Sequence, residues 1–302
     1  MSLIKKYYDY SKERFPIVPA LLYSGSLYYL SYFFPSLLPS SEPPQIFSSI
    51  LGWIVLFFTI LHLRIFDEHK DYKKDKIAHP DRMLSRGIIT LQDLRKLLFV
   101  VLFLEALISI YLGIELFFIW LLILLWSILM FFEFFAPEFL NRRIVLYLIS
   151  HQIIVPIICL FGFLQRIKLL EIFNANLIYI FIFFIGVMCN TITYEIARKT
   201  WSKDREHEHA DSYTKFWGTF PAVVINQIIS GLTTTSFLYI YIKNNLSLTY
   251  SIVLIGIWLV FLIVEIMFLM DPVKKKSKMV EIAGALFTIV VFINSAVGFA
   301  FI

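Results

Sequence analysis

The chain of 302 residues has little charge, little glycine and almost no cysteine. Charged residues make up 16% of it, whereas about a quarter is usual in soluble domains. Hydrophobic residues make up 59%, which leaves too few polar side chains to cover one soluble domain of this length. Disorder is excluded too, because a disordered chain needs low hydrophobicity and high net charge. A disulfide-stabilised secreted fold is excluded because Cys159 and Cys189 both lie inside apolar runs.

The sequence instead contains a series of long apolar runs. A helix needs about 20 apolar residues to cross the hydrocarbon core of a bilayer. The runs that qualify lie near 17–36, 45–63, 97–113, 115–132, 144–164, 175–194, 219–241, 248–270 and 280–302. The short connection at Gly113 predicts a tight hairpin between the third and fourth runs. We therefore expect an all-α, polytopic membrane protein with nine transmembrane helices and no role in nucleic-acid binding.

The positions of the 27 Lys and Arg residues predict the orientation of these helices. If the N-terminus is cytoplasmic, only Arg166, Lys168 and Lys243 fall on the outer side of the nine spans. Cytoplasmic loops are the ones that carry an excess of Lys and Arg. We therefore expect the N-terminus inside, the C-terminus outside, and the charged loops on the cytoplasmic face of an inner or plasma membrane.

The first charged loop follows the second span and contains an acidic ladder. Asp67, Asp71 and Asp75 are spaced i, i+4, i+8, and a helix that continued through them would place all three on one face. Like charges at this spacing destabilise a helix, so a compensating cation is expected. Mg²⁺ prefers carboxylate oxygens together with substrate phosphate. Lys74 and Arg82 supply the positive charge that a diphosphate would require.

The second charged loop follows the sixth span and mixes acidic with basic residues. Its candidate metal ligands are Glu195, Asp204, Glu208 and Asp211. Its candidate phosphate-binding residues are Arg198, Lys199 and Lys215. Both loops follow inward-running helices, so we expect two acidic clusters on one membrane face that could each hold a metal ion and share a diphosphate. The alternative is that each charge run is an ordinary solvated loop.

Polar residues inside the spans are a further set of candidates. Asn190 and Asn226 are expected to line a cavity, because polar side chains in transmembrane helices usually face the bundle interior. Their alternative role is hydrogen bonding between helices. Glu105 and Glu265 lie nearer mid-span, where an ionisable residue is a functional candidate by default.

The ladder at 67–75 and the following Arg-Met-Leu-x-x-Gly at 82–87 resemble the UbiA superfamily of intramembrane prenyltransferases. The nine spans agree with this resemblance. The family's first motif has Asn in place of Asp67, and its second element has Pro in place of Met83. The family's second acidic motif, usually Asp-x-x-x-Asp, is matched only loosely in this chain. A basic pair before the fifth span, Arg142 and Arg143, resembles one that the family carries after its fourth helix.

The resemblance implies one domain over 1–302, with the helices around a central cavity and both loops forming a polar cap. It implies that an isoprenyl diphosphate binds with its head at Mg²⁺, present as two ions, and its tail in the cavity. The prenyl group would then move to a lipophilic acceptor, with membrane lipid as the surrounding partner. A terpene cyclase of the same superfamily is the main alternative. A transporter is a remote one, because these acids lie at a membrane face and not at the bilayer midplane.

The candidate site residues fall into three overlapping sets. Those assigned to catalysis are Asp67, Asp71, Asp75, Asp204 and Asp211. The candidate metal ligands are Asp67, Asp71, Asp75, Glu195, Asp204, Glu208 and Asp211. The candidate diphosphate-binding residues are Arg64, Lys74, Arg82, Arg142, Arg143, Arg198, Lys199 and Lys215.

Overall fold

The computed structural model describes residues 2–172, 176–206 and 212–302. These residues are predominantly helical, and the described part of the chain contains no strand, so the all-α prediction is confirmed there. The chain divides into two compact units. The first consists of Met1–Tyr29 and Pro43–Gln165, and the second of Leu30–Glu42 and Arg166–Ile302. The prediction of a single domain stays a prediction.

The first unit is built on three long helices that contact one another. The helices that begin in this unit are α1 (Leu3–Arg14), α2 (Ile17–Phe33, which runs on into the second unit), α3 (Ile46–Lys70), α4 (Tyr72–Ala78), α5 (Leu91–Leu112), α6 (Ile114–Phe131), α7 (Pro137–Asn141), α8 (Ile144–Gln152) and α9 (Ile154–Phe163). Helix α5 packs against α3 and α6, and α9 contacts both α3 and α6. Gly113 joins α5 to α6 with a φ of 149°, a value that favours glycine. The predicted hairpin is present.

The second unit is built on four long helices. Its helices are α10 (Leu169–Ile172), α11 (Leu177–Arg198), α12 (Tyr213–Trp217), α13 (Thr219–Lys243), α14 (Leu248–Met270) and α15 (Lys274–Ala300). Helix α11 packs against α13 and α15, and α14 packs against the same two helices. The absence of a side chain at Gly284 permits the close approach of α15 to α11, because a Cβ at this position would lie 2.5 Å from the Cβ of Ala197.

Eight helical segments of the described residues are long and apolar enough to cross a membrane, as expected of a multi-pass integral membrane protein. The third predicted span corresponds to α5, which has 22 residues but is not among the eight. Its first turns carry Asp93, Arg95 and Lys96, and Glu105 follows in the middle. These charges lower its apolar content. Nine spans, the orientation, the central cavity and the cytoplasmic position of the loops stay predictions.

Three features of the helices differ from those expected. Helix α1 was not expected, because the segment that forms it is short and polar. The fifth span is interrupted at Ile153, where α8 ends and α9 begins. Pro156 in the first turn of α9 lacks the N–H that would continue the α8 hydrogen bonds. The second span extends to Lys70, beyond its apolar part, so that α3 carries the start of the charged loop.

A buried polar cluster joins α3, α5 and α6. His62 Nδ1 lies 2.9 and 3.0 Å from the two carboxylate oxygens of Glu105, and Trp120 Nε1 donates to the same carboxylate at 2.8 Å. His62 Nε2 lies 3.1 Å from Ser127 Oγ. That hydroxyl also donates to a backbone carbonyl of α6 at 2.8 Å. These contacts hold His62 and Glu105 together in the buried interior of the first unit.

Candidate functional site

The acidic ladder lies where α3 ends and α4 begins. Helix α3 ends at Lys70 and α4 begins at Tyr72, with Asp71 between them at φ −92° and ψ 2°. The i to i+4 hydrogen bonds nevertheless continue, from Asp71 N to Asp67 O at 2.9 Å and from Asp75 N to Asp71 O at 2.8 Å. The ladder keeps helical spacing, but the helix is broken at Asp71 and does not continue uninterrupted through all three carboxylates.

Three arginines converge on two carboxylates at this end of α3. Arg14 Nε and Arg64 Nη2 donate to Glu68 Oε1 at 2.7 and 2.6 Å. Arg82 Nη1 donates to Asp75 Oδ2 at 2.5 Å, and Arg14 Nη2 lies 3.4 Å from the same oxygen. Glu68 is only 3% exposed. We call these five residues the arginine cluster, and its arginines exceed its carboxylates by one positive charge.

The charges of this region perturb one another. Burial lowers the pKa of Arg82, and the neighbouring Arg14 lowers it further. Burial also raises the pKa of Asp71, an effect that Lys70 opposes and Asp75 reinforces. An added anion would therefore stabilise the guanidinium of Arg82, and an added cation would stabilise the carboxylate of Asp71.

Polar side chains of α8 and of the turn that follows α6 lie near Lys70, the last residue of α3. Lys70 Nζ lies 3.7 Å from Glu133 Oε1 and donates to Tyr147 Oη at 3.3 Å. The ring of Tyr147 stacks on His151 with centroids 4.0 Å apart. Glu133 and the two phenylalanines that follow have φ values of 48°, 52° and 57°, which are uncommon for residues other than glycine. Glu133 also adds to the negative charge around Asp71.

The other predicted residues of this unit are more exposed. Asp67 and Lys74 are exposed near the break, and Lys74 acts electrostatically on Asp71. Arg142 and Arg143 are exposed as well. The guanidinium of Arg143 lies 4.0 Å from the centre of the Phe139 ring and is not brought to the arginine cluster by any contact among the described residues. Its predicted role in diphosphate binding stays a prediction.

The second charged loop has local ion pairs of its own. Glu195 contacts Arg198 at 2.6 Å and Lys199 at 2.9 Å. Asp204 accepts a hydrogen bond at 3.2 Å from Lys274 N, the first backbone N–H of α15. Lys215 has an exposed side chain.

These contacts give Glu195 and Asp204 structural partners, and their roles as metal ligands stay predictions. The same holds for the phosphate-binding roles of Arg198, Lys199 and Lys215. Glu208 and Asp211, the other two candidate ligands of this loop, lie outside the described residues.

The two asparagines expected in a cavity join helices of the second unit. Asn190 Nδ2 donates to Thr288 O at 3.2 Å, which links α11 to α15. Asn226 Nδ2 and Gln227 Nε2 donate to the carboxylate of Glu265 at 2.8 and 2.6 Å, which links α13 to α14. Both asparagines are buried, and their Oδ1 atoms have no partner among the described residues. Interhelical hydrogen bonding is thus observed, and the cavity role stays a prediction.

Three residues around the C-terminal end of α3 were not predicted from the sequence. Glu68 was overlooked because the four-residue spacing of the ladder selects its neighbour Asp67, although Arg64 four residues earlier was a signal for it. Glu133 lies in an irregular turn that no pattern marks. Arg14 lies 54 residues before Glu68, so no local spacing could pair them.

Comparison with known proteins identifies the fold of the chain. No protein-family model matches the chain, and neither does any curated protein. Solved structures do match. A structure of digeranylgeranylglyceryl phosphate synthase in membranes has a TM-score of 0.66 and 18% identity, over 99% of this chain and 100% of that chain. The chain has the UbiA fold.

Two UbiA homologues extend the comparison. One from Aeropyrum pernix K1 has a TM-score of 0.65 and 12% identity, over 89% of this chain and 96% of its own. One from Archaeoglobus fulgidus, bound to GPP and Mg²⁺, has a TM-score of 0.57 and 16% identity, over 94% and 99%. The resemblance to the UbiA superfamily is thereby confirmed at the level of the fold.

Proposed function

We propose that this chain is a membrane-embedded, Mg²⁺-dependent prenyltransferase that moves an isoprenyl group from its diphosphate to a lipophilic acceptor. The proposal is carried by the close placement of the arginine cluster and the acidic ladder at one end of α3. The UbiA fold supports it, because the Archaeoglobus fulgidus protein of that fold is bound to GPP and Mg²⁺. A diphosphate donor and a divalent cation would complement the two kinds of charge present in this chain.

The residues at this end of α3 fit both groups. Mg²⁺ takes a few carboxylates together with phosphate oxygens and water, and burial raises the pKa of Asp71, so that a cation would stabilise its carboxylate. Arg64 Nε is buried without a partner among the described residues, so a guanidinium donor is available to a phosphate oxygen. No three acidic, His or Cys side chains of the described residues are already gathered for a metal. Substrate phosphate would therefore supply part of the coordination.

The chemistry follows from these charges. When bound, Mg²⁺ would offset the negative charge that grows on the departing diphosphate. Arg14, Arg64 and Arg82 would donate hydrogen bonds to the same oxygens, and such charge-assisted bonds are roughly twice as strong as neutral ones. The bond between the allylic carbon and oxygen would break with its electron pair staying on diphosphate. The carbon would then form its new bond to the acceptor, which would lose a proton at that atom to the released diphosphate. A site inside the bilayer keeps water away from the allylic cation.

Removing single carboxylates tests the site. We expect Asp71→Ala or Asp75→Ala to lower Mg²⁺-dependent release of diphosphate from an isoprenyl diphosphate by about a hundredfold or more. Asp81→Ala is the matched control, because Asp81 is an exposed aspartate of the same loop. Turnover is measured with purified full-length protein in detergent, with and without a chelator. Normal turnover in the Asp71 and Asp75 variants would contradict the assignment.

Arg82→Ala tests the diphosphate contact separately. Loss of one charge-assisted hydrogen bond, worth about 1.5–3 kcal/mol, should raise the KM for the donor by at least tenfold.

Assays with labelled donor and no acceptor separate transfer from cyclisation. A cyclic hydrocarbon or alcohol formed without acceptor would replace the transferase proposal by the cyclase alternative.

A further inference from the structure

Helix α1 lies across the neighbouring ends of α3 and α5. At its C-terminal end Arg14 Nε contacts Glu68 of α3 at 2.7 Å. Nearer its N-terminal end Tyr7 Oη donates to Asp93 O of α5 at 2.8 Å. Between them Tyr10 is buried in a hydrophobic cluster with side chains of α3 and α5. Because α3 and α5 pack side by side, α1 bridges their neighbouring ends.

The opposite face of α1 has an apolar flank beside a basic flank. Ile4 and Tyr8, four residues apart, are 82% and 54% exposed. Lys5 and Lys12, seven residues apart, are exposed next to them. The ammonium group of Lys12 lies 4.2 Å from the centre of the Tyr8 ring, which joins the two flanks. Apolar residues beside Lys residues are the pattern of helices that lie in the membrane interface.

We propose that this face of α1 docks on the anionic surface of the bilayer in which the protein resides. Ile4 and Tyr8 would enter the boundary between headgroups and acyl chains, where the amphipathic ring of tyrosine is favoured. Lys5 and Lys12 would contact phosphate groups of anionic phospholipids. Charge complementarity selects this occupant, because lysines beside a membrane span are attracted to anionic lipids. The inference does not depend on the proposed enzymatic activity.

A depth measurement tests the docking directly. A nitroxide is attached to Ile4→Cys in a full-length chain whose Cys159 and Cys189 are replaced by Ala, and the protein is reconstituted in vesicles of phosphatidylcholine and phosphatidylglycerol. We expect the nitroxide to be more accessible to lipid-soluble oxygen than to a water-soluble nickel chelate. A nitroxide at Asp81→Cys, in an exposed loop, should show the reverse. Equal behaviour at the two positions would overturn the proposal.

Charge variants test the anionic-lipid part. Phosphatidylglycerol should increase the oxygen accessibility of the label at position 4 over that in phosphatidylcholine alone. In Lys5→Gln/Lys12→Gln the equilibrium constant for docking of α1 should fall about 30-fold, because each lysine near an anionic surface usually contributes about 1 kcal/mol. Lys168→Gln/Lys243→Gln is the matched control, with two exposed lysines outside α1. If both double variants behave alike, or if phosphatidylglycerol has no effect, the proposal is wrong.

Discussion

Removal of the imidazole of His62 tests how much its contact with the buried Glu105 contributes to the stability of the first unit. In His62→Leu the carboxylate of Glu105 keeps Trp120 as its donor and loses its contacts with His62 at 2.9 and 3.0 Å. Both side chains of the pair are 0% exposed, so water cannot replace the lost partner. Leaving a buried polar group without its partner usually costs about 1–3 kcal/mol, and more when the group is charged, so we expect a loss of about 3 kcal/mol or more. Trp120→Phe removes one hydrogen bond to the carboxylate and should cost about 1.5–3 kcal/mol.

Two further variants make this prediction specific. His62→Leu/Glu105→Leu replaces both polar partners by apolar side chains, so we expect it to be more stable than His62→Leu alone. The double-mutant cycle should give a coupling free energy of about 2–3 kcal/mol. Ser109→Ala is the control, because this buried hydroxyl lies one turn from Glu105 and has no partner among the described residues. It should change stability by less than about 0.5 kcal/mol.

The assay is reversible unfolding in mixed detergent micelles with increasing dodecyl sulfate, followed by circular dichroism. The midpoint and slope give the free energy of unfolding of each variant. The prediction is wrong if His62→Leu is no less stable than Ser109→Ala. It is also wrong if the stability losses of His62→Leu and Glu105→Leu simply add in the double variant, because two buried side chains in direct contact require a coupling free energy.

The same unfolding assay tests the ladder and the helix contacts. Asp71→Asn should stabilise the metal-free protein at neutral pH, because the raised pKa of the folded carboxyl makes its ionised form unfavourable; the gain should disappear as the pH falls below the ordinary pKa of aspartate. Gly284→Val should cost about 1–3 kcal/mol, because its Cβ would lie 2.5 Å from that of Ala197. Gly256→Ala, with nothing within 4 Å, should be neutral or stabilising by up to about 1 kcal/mol. Glu265→Leu should be more destabilising than Glu265→Gln, because only glutamine keeps an oxygen that accepts from the two amide donors.

The positions of the long helices could be predicted because their signal is local. The run at 248–270 coincides with α14, and the run at 115–132 differs from α6 by one residue at each end. A bilayer requires a continuous apolar stretch whose backbone groups bond within the same helix, so hydropathy alone marks it. Helix α1 was not predicted from the sequence, because the contacts that hold it, made by Tyr10 and Arg14, are with residues distant in sequence.

The site was predictable only where its residues repeat at helical spacing. The ladder was visible because Asp67, Asp71 and Asp75 follow one helical period. Two arginines contact Asp75, the last carboxylate of the ladder. Arg82 could be expected because it is close in sequence, whereas Arg14 could not. In the second loop the interleaved charges look like a binding site in sequence, whereas Glu195 is paired within its own helical turn.

The sequence by itself therefore determined the class of protein, the approximate helix positions and the acidic ladder. These depend on residue type and short spacings, which a helix in a bilayer converts directly into structure. Only the tertiary structure decided that Arg14 lies between Glu68 and Asp75 and that the buried Glu105 contacts His62. Both contacts join residues from different helices. The physical reason is that charge balance depends on which groups are neighbours in space, and helix packing creates these neighbours from segments far apart in the chain.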